Sequence, residues 1–240
     1  MTETAASLHR DLKKRSSPQR ATNATRFFKA GPGQYGEGDK FLGVIVPELR
    51  VLAKTYKYLP LHELEQLLKS PWHEERLISL FILVDQYKRG TEASRKALYD
   101  FYIAHTKYIN NWDLVDSSAG YIVGAWLDGK PAKKTQLINL ATSDLLWERR
   151  IAMVATFYYI RQGKAGEALM IANILLHDEH DLIQKAVGWM LREVGKRVDR
   201  NILVSFLDDH HNDMPRTALR YAIEHFSVQE RAHYLGKVVK

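Results

Sequence analysis

With 240 residues, no cysteine, and 35 Lys+Arg against 28 Asp+Glu, the chain can use neither a disulfide, a thiol nucleophile nor a Cys-ligated zinc. Its formal charge of +7 and pI near 9.4 suit a polyanionic partner if the basic residues share a face; otherwise the charge serves solubility alone. A 45% hydrophobic, 26% charged composition argues against disorder, and no run of 18 apolar residues suggests a membrane span. The first residues, MTETAASLHRDLKK, lack the apolar segment of a secretion signal, so a soluble, cytoplasmic protein with no membrane contact is expected.

In chain order, the first irregular stretch is GPGQYG (31–36), inside a glycine-rich piece near 31–40. It matches the G-x-G-x-x-G spacing of a nucleotide turn, but no strand precedes it and no helix opens after it, so it reads as a mobile connector. From there the hydrophobic spacing is helical: LHELEQLL (61–68), ERLISLFILVDQY (75–87) and ALMIANILL (168–176) carry the 3.6-residue period, and nothing reads as a strand. The fold class is all-α.

Two segments align without gaps, SPWHEERLISLFILVDQYKRG (70–90) and SDLLWERRIAMVATFYYIRQG (143–163), offset by 73 residues. A further shift of about 36 reaches HDLIQKAVGWMLREVGKRV, bringing Gln184 and Lys185 onto Glu148 and Arg149. A period near 36 predicts helix pairs stacked as an α-solenoid of HEAT-like repeats, one domain over 1–240, with inner helices starting near Pro71, Asn111, Asp144, Asp181 and Asp213. The second helices of such a stack line one concave, basic groove.

The segment NNWDLVDSSAGYIVGAW (110–126) is then the inner helix of its module, running from Trp112 to Leu127. Asn110 or Asn111 caps it, and Asp113 sits in the first turn, where the helix dipole accounts for it without any function. Asp116 lies one turn beyond, on the face of Trp112, where capping does not explain it; a solvated surface carboxylate is the plain alternative. The next inner helices carry Arg149 and Arg150, then Lys185, Trp189 and Arg192, with Trp189 one turn from each of its two cationic neighbours. Tryptophan is most often core, but interleaved rings and cations are what a nucleic-acid groove uses for sugars, bases and phosphates. The clusters HDEHD (177–181) and DDHHND (208–213) fall at helix junctions and read as caps, so no metal is expected. Ser117 and Ser118 have no histidine within their helix to make a nucleophile.

Taken together, WDLVD (112–116), WERR (147–150), QKAVGWMLRE (184–193) and FLGVIVPELRVLAK (41–54) resemble the AlkD-like DNA alkylation repair family, the HEAT-like-repeat DNA glycosylases, from about Phe27 to Phe226. The resemblance implies that Trp112 and Trp189 flank a lesion-bearing nucleotide, that Asp116 is the catalytic carboxylate, and that Arg150 and Arg192 contact the DNA backbone; the residue pattern itself adds Arg149 and Lys185 as DNA-binding cations. It places Phe27 where relatives can present an aromatic to DNA. Asn111 stands where some members carry another tryptophan, and the glycine-rich connector is longer than the family pattern. The implied activity is excision of cationic N3- or N7-alkylpurines from duplex DNA by a monomer that needs no cofactor, with the lesion left on an open groove. A DNA-binding repeat protein without catalysis, or a protein-binding scaffold, are the alternatives.

Overall fold

The computed structural model describes residues 3–236, and among them secondary structure is helical apart from one isolated bridge between Lys40 and Trp72. Contacts concentrate in two compact units, and the chain passes from the first to the second between Ser118 and Ala119. No helix is long and apolar enough to cross a membrane among the described residues.

The first unit holds α1 (Ala5–Lys13), α2 (Pro18–Phe27), α3 (Val46–Thr55), α4 (Leu61–Leu68), α5 (His73–Arg89), α6 (Glu92–Ala104) and the short α7 (Trp112–Asp116). Leu8, Leu12, Leu49, Leu64, Leu67, Ile78, Leu80 and Ile82 are buried at the centre, drawn from the apolar stripes of α1, α3, α4 and α5. The helix α2 buries no side chain. It is attached by hydrogen bonds to main-chain carbonyls instead: Ser17 N–H donates to Leu42 O (2.9 Å), and the Arg20 guanidinium donates to Gly43 O (2.7 Å). Gly43 has φ +76°, and a Cβ there would lie 2.3 Å from Ser17 O, so no other residue admits this approach.

At its far end α2 closes with paired bonds from Lys29 N–H to Arg26 O (3.3 Å) and from Ala30 N–H to Thr25 O (3.0 Å). This is the Schellman pattern, whose left-handed position glycine usually fills; here Lys29 takes it at φ 49°. The connector that follows, read from sequence as mobile, is a run of hydrogen-bonded turns: Gln34 N–H to Gly31 O, Gly36 N–H to Lys29 O, Glu37 N–H to Gln34 O and Asp39 N–H to Gly36 O. It ends at the Lys40–Trp72 bridge, which ties it to the start of α5.

The second unit opens with a π-helical turn, Gly120–Gly124, and continues through α8 (Ala125–Leu127), α9 (Lys133–Ala141), α10 (Leu146–Ala155), α11 (Phe157–Ile160), α12 (Gly166–Ile174), α13 (Asp181–Arg197), α14 (Arg200–His210), α15 (Arg216–Ala222) and α16 (Val228–Tyr234). The 17-residue α13 packs on α10, α12, α14 and α15. Helices α10, α13 and α15 start at 146, 181 and 216, a recurrence of 35 residues where the sequence comparison suggested 36.

The 73-residue offset is reproduced in detail. Arg76 Nη1 donates to Ser70 O (2.9 Å) and Arg149 Nη1 to Ser143 O (3.0 Å), while Ser70 and Ser143 hydroxyls each accept from the backbone two residues on (3.1 Å). At the next recurrence Gln184 Nε2 donates to Asp178 O (3.0 Å), so Gln184, and not Lys185, is the counterpart of Arg149.

The stretch expected as one helix from Trp112 to Leu127 is interrupted. The helix α7 ends at Asp116, and Ser117 and Ser118 form a turn before the π-helical residues. Locally, the Ser118 hydroxyl lies 2.6 Å from Leu114 O, competing with the helical ladder. Further on, a Cβ at Gly124 would lie 2.3 Å from Ala155 O, so backbone packs on backbone there, and side-chain periodicity alone could not reveal it.

Candidate active site

In the first unit the site begins at α7. Asn111 is its N-cap, with the side-chain oxygen accepting from Trp112 N–H (2.8 Å), as the sequence indicated. Asp113 Oδ1 accepts from Leu114 N–H (2.9 Å), but its other oxygen has a partner that local reasoning could not supply: His73 Nε2, at 2.8 Å. His73 is 2% exposed, and its Nδ1 faces Asp39 at 3.4 Å. Asp39 in turn meets Arg76 Nη2 at 2.6 Å and accepts from Asn111 Nδ2 at 3.5 Å. Two carboxylates thus enclose one imidazole and one guanidinium, a buried cluster that balances its charge only when His73 is protonated.

Burial by itself would lower the His73 pKa; the charge and hydrogen bond of Asp113, with the bond to Asp39, outweigh it and raise the pKa from 6.5 to about 9. Asp39 also feels burial most strongly, which favours its neutral form, yet contact with His73 and Arg76 holds its pKa below the usual carboxylate value.

Aromatic rings cover this cluster. The Phe28 ring centroid is 4.5 Å from the His73 ring, 5.4 Å from Phe41 and 5.5 Å from Trp112, lying nearly parallel to the last two. Phe27 meets Trp112 edge-on at 5.7 Å and is itself 65% exposed. Trp112 and Asp116 are half-buried, and Asp116 contributes to raising the pKa of the Tyr102 phenol, after the larger effect of that phenol's burial. The Tyr102 hydroxyl contacts Ser118 Oγ at 2.9 Å beneath them. The first unit therefore sets Phe27 against Trp112 and Asp116 one turn further along α7, with Phe28 joining Trp112 to His73.

In the second unit Trp189 is half-buried on α13 with Phe157 5.9 Å away, and the Arg161 and Arg197 guanidiniums lie 5.2 and 5.3 Å from the Phe157 ring centre. Arg192 pairs with Glu224 and, at 3.2 Å, with Glu193; Lys185 pairs with Asp181 at 2.6 Å. Arg149 meets Asp178 at 2.6 Å. Arg150 differs from its expected place as an open cation: it is 5% exposed, and its Nη1 donates to Leu182 O at 2.5 Å, joining α10 to α13. Adjacent residues on a helix point about 100° apart, so Arg149 and Arg150 face different surroundings.

The two polar clusters act as junctions. His180 caps α13, its Nδ1 accepting from Leu182 N–H (3.1 Å), and the Tyr234 hydroxyl donates to Asp208 (2.8 Å). Among the described residues no group of three or more His, Asp or Glu side chains is arranged to hold a metal ion.

Residues 8–226 match the model of the family described as DNA alkylation repair enzyme. The chain belongs to that family. A solved structure of a predicted DNA alkylation repair enzyme from Enterococcus faecalis aligns with a TM-score of 0.67 over 89% of this chain and 98% of that one, at 17% identity, a likeness of fold. No curated protein matches the chain.

In this member of the DNA alkylation repair enzyme family, the sequence pointed to Trp112 and Asp116 as candidates but not to His73, Asp39, Phe28 and Glu74, which the structure places around the start of α7 and the loop beside it. Glu74 is buried and accepts from the N–H groups of Leu42 (2.9 Å) and Gly43 (2.7 Å), with Val44 N–H at 3.3 Å, which fixes the loop on which α2 rests. One signal was available. HEER (73–76) places a histidine and an arginine one turn apart on the face of α5, and its repeat-mate contains an arginine that the sequence comparison had already aligned. The acidic partners lie 34 and 40 residues away, beyond any local pattern.

Proposed function

We propose that the protein is a monofunctional DNA glycosylase that releases cationic N3- or N7-alkylated purines from duplex DNA. The observation that carries this reading is the conjunction in the first unit of an exposed Phe27, the Trp112 ring it touches and the half-buried Asp116 one helical turn further on.

The chemistry needs few groups. An N3- or N7-alkylpurine is already positively charged and leaves without protonation, so no general acid is required. As the bond from C1′ to the base nitrogen breaks, the electron pair goes to the base and positive charge develops on the sugar. A carboxylate and aromatic faces held beside that sugar stabilise the transition state more than the ground state. Asp116 supplies the charge and Trp112 an aromatic face; Trp189, on the second unit, offers the DNA a further ring. Water then adds at C1′, with Asp116 orienting it and accepting its proton. Arg192, Lys185 and Arg149, each now paired with an acidic side chain, exchange those partners for phosphates of the duplex. Arg150 supports them by holding the start of α13.

Single-turnover release of 7-methylguanine from methylated duplex DNA tests the assignment. The parent protein is expected to release the base, and Asp116→Asn to do so more slowly by about two to three decades, the usual worth of a preorganised electrostatic group. Full activity in Asp116→Asn refutes the role of the carboxylate. A parent that binds duplex DNA without releasing base refutes catalysis and leaves a DNA-binding repeat protein.

A further inference from the structure

We infer that His73 is a positioning residue for the proposed excision chemistry: its buried imidazolium, held between Asp39 and Asp113, fixes the start of α7 and the ring stack on which Trp112 lies. This rests on the glycosylase reading for its functional consequence, and on the geometry alone for its structural one.

Four observations converge on one side chain. His73 Nε2 takes the Asp113 oxygen that the α7 turn leaves over, so the first turn of α7 is anchored to the first turn of α5. His73 Nδ1 faces Asp39, whose other oxygen is held by Arg76, and this prevents the imidazole from turning away. The Phe28 ring lies 4.5 Å from the imidazole and 5.5 Å from the Trp112 indole, so one phenylalanine touches both and links the position of the tryptophan to that of the histidine. Finally, the α7 helix is only five residues long and gives way to a turn at Ser117, so its direction is not set by a longer helix. Whatever orients its first turn orients Trp112 directly and Asp116 four residues later. The charged groups around His73 are Asp39 from the turn segment, Arg76 from its own helix and Asp113 from α7, with Glu74 and Arg20 lining the same 170 Å³ cavity.

Misplacing reacting groups by an ångström costs up to about a hundredfold in rate while leaving remote binding contacts in place. His73→Gln, which keeps a donor and loses the charge, and Asp113→Asn are therefore expected to lower single-turnover excision about tenfold or more, with affinity for undamaged duplex DNA within about twofold of the parent. Because both act through one contact, the double variant is expected to be no slower than the slower single variant. The Trp112 indole N–H resonance, assigned by comparison with Trp112→Phe, is expected to shift in both single variants. Unchanged excision by the folded variants, or losses that multiply in the double variant, overturns the inference. Should the parent excise nothing, the glycosylase reading fails by itself, and the indole resonance decides for His73: an unmoved resonance in both variants overturns it, whereas Asp113→Asn alone suffices if His73→Gln does not fold.

Discussion

The protonated state of His73 makes the stability of the protein depend on pH in an unusual direction. Its pKa rises from 6.5 to about 9 on folding, so the folded state binds the proton more tightly than the unfolded chain. The contribution is fully present below the unfolded value and is lost as pH rises through the folded one. A displacement of that size corresponds to about 3 kcal/mol, most of it lost between roughly pH 6.5 and pH 9. With the side chain only 2% exposed, little solvent screening reduces it. The perturbation is His73→Gln, which fills similar space and cannot carry the charge. Urea unfolding followed from about pH 6 to about pH 9.5 gives the stability difference between parent and variant at each pH; subtraction removes every titration the two share. The difference is expected to shrink by about 3 kcal/mol across the window. A difference independent of pH refutes a charged His73 and, with it, the charge balance of the Asp39–Arg76–Asp113 cluster.

Other outcomes concern backbone and interface. Lys29→Gly removes a side chain from a left-handed φ of 49° and is expected to raise stability by roughly 1 kcal/mol; a lower thermal midpoint would show that the lysine side chain compensates for its backbone. Gly188→Ala puts a Cβ 2.2 Å from Ala218 O and is expected to cost about 3 kcal/mol or prevent folding, whereas Gly166→Ala, with open space around it, leaves the midpoint unchanged or slightly higher. Arg192→Ala is expected to weaken duplex binding at every sequence and to reduce the slope of affinity against salt by roughly one; an unchanged slope removes Arg192 from the interface.

The helices were legible because their signals are local. Apolar spacing, Ser-Pro and Asp at starts, and glycine at ends placed helix starts within about three residues of His73, Trp112, Leu146, Asp181 and Arg216, where these helices begin. Trp112 and Asp116 were legible as a pair because a four-residue spacing on a helix fixes a shared face. What escaped was set by distant partners. Asp113 looked like a first-turn carboxylate, and it is one, but its second oxygen belongs to a histidine 40 residues earlier. Arg150 looked as available as Arg149, since neighbouring positions carry equal composition and only the packing of α10 against α13 decides which one is buried. The connector showed only its glycine content, which reports what a backbone is able to do; the bonds to Lys29 O and the Lys40–Trp72 bridge that complete its turns have no local signal. The one-residue error in the repeat came from aligning residue types; the side chain reaching back six residues identifies the true register.

Gly124 and Gly188 have neighbours of the same kind. One faces the Ala155 carbonyl and Tyr158 Cβ, the other the Ala218 carbonyl and Tyr221 Cβ, each closer than a methyl group permits. The separation between successive layers of the second unit is therefore gauged by bare main chain, as a spacer of fixed thickness would gauge it. Volume changes elsewhere in these layers, such as Ile for Val or Met for Leu, have to be absorbed by neighbouring rotamers, because the layers cannot part without losing both contacts. A saturation library at the two positions should return glycine almost alone, while the apolar positions around them exchange freely for one another.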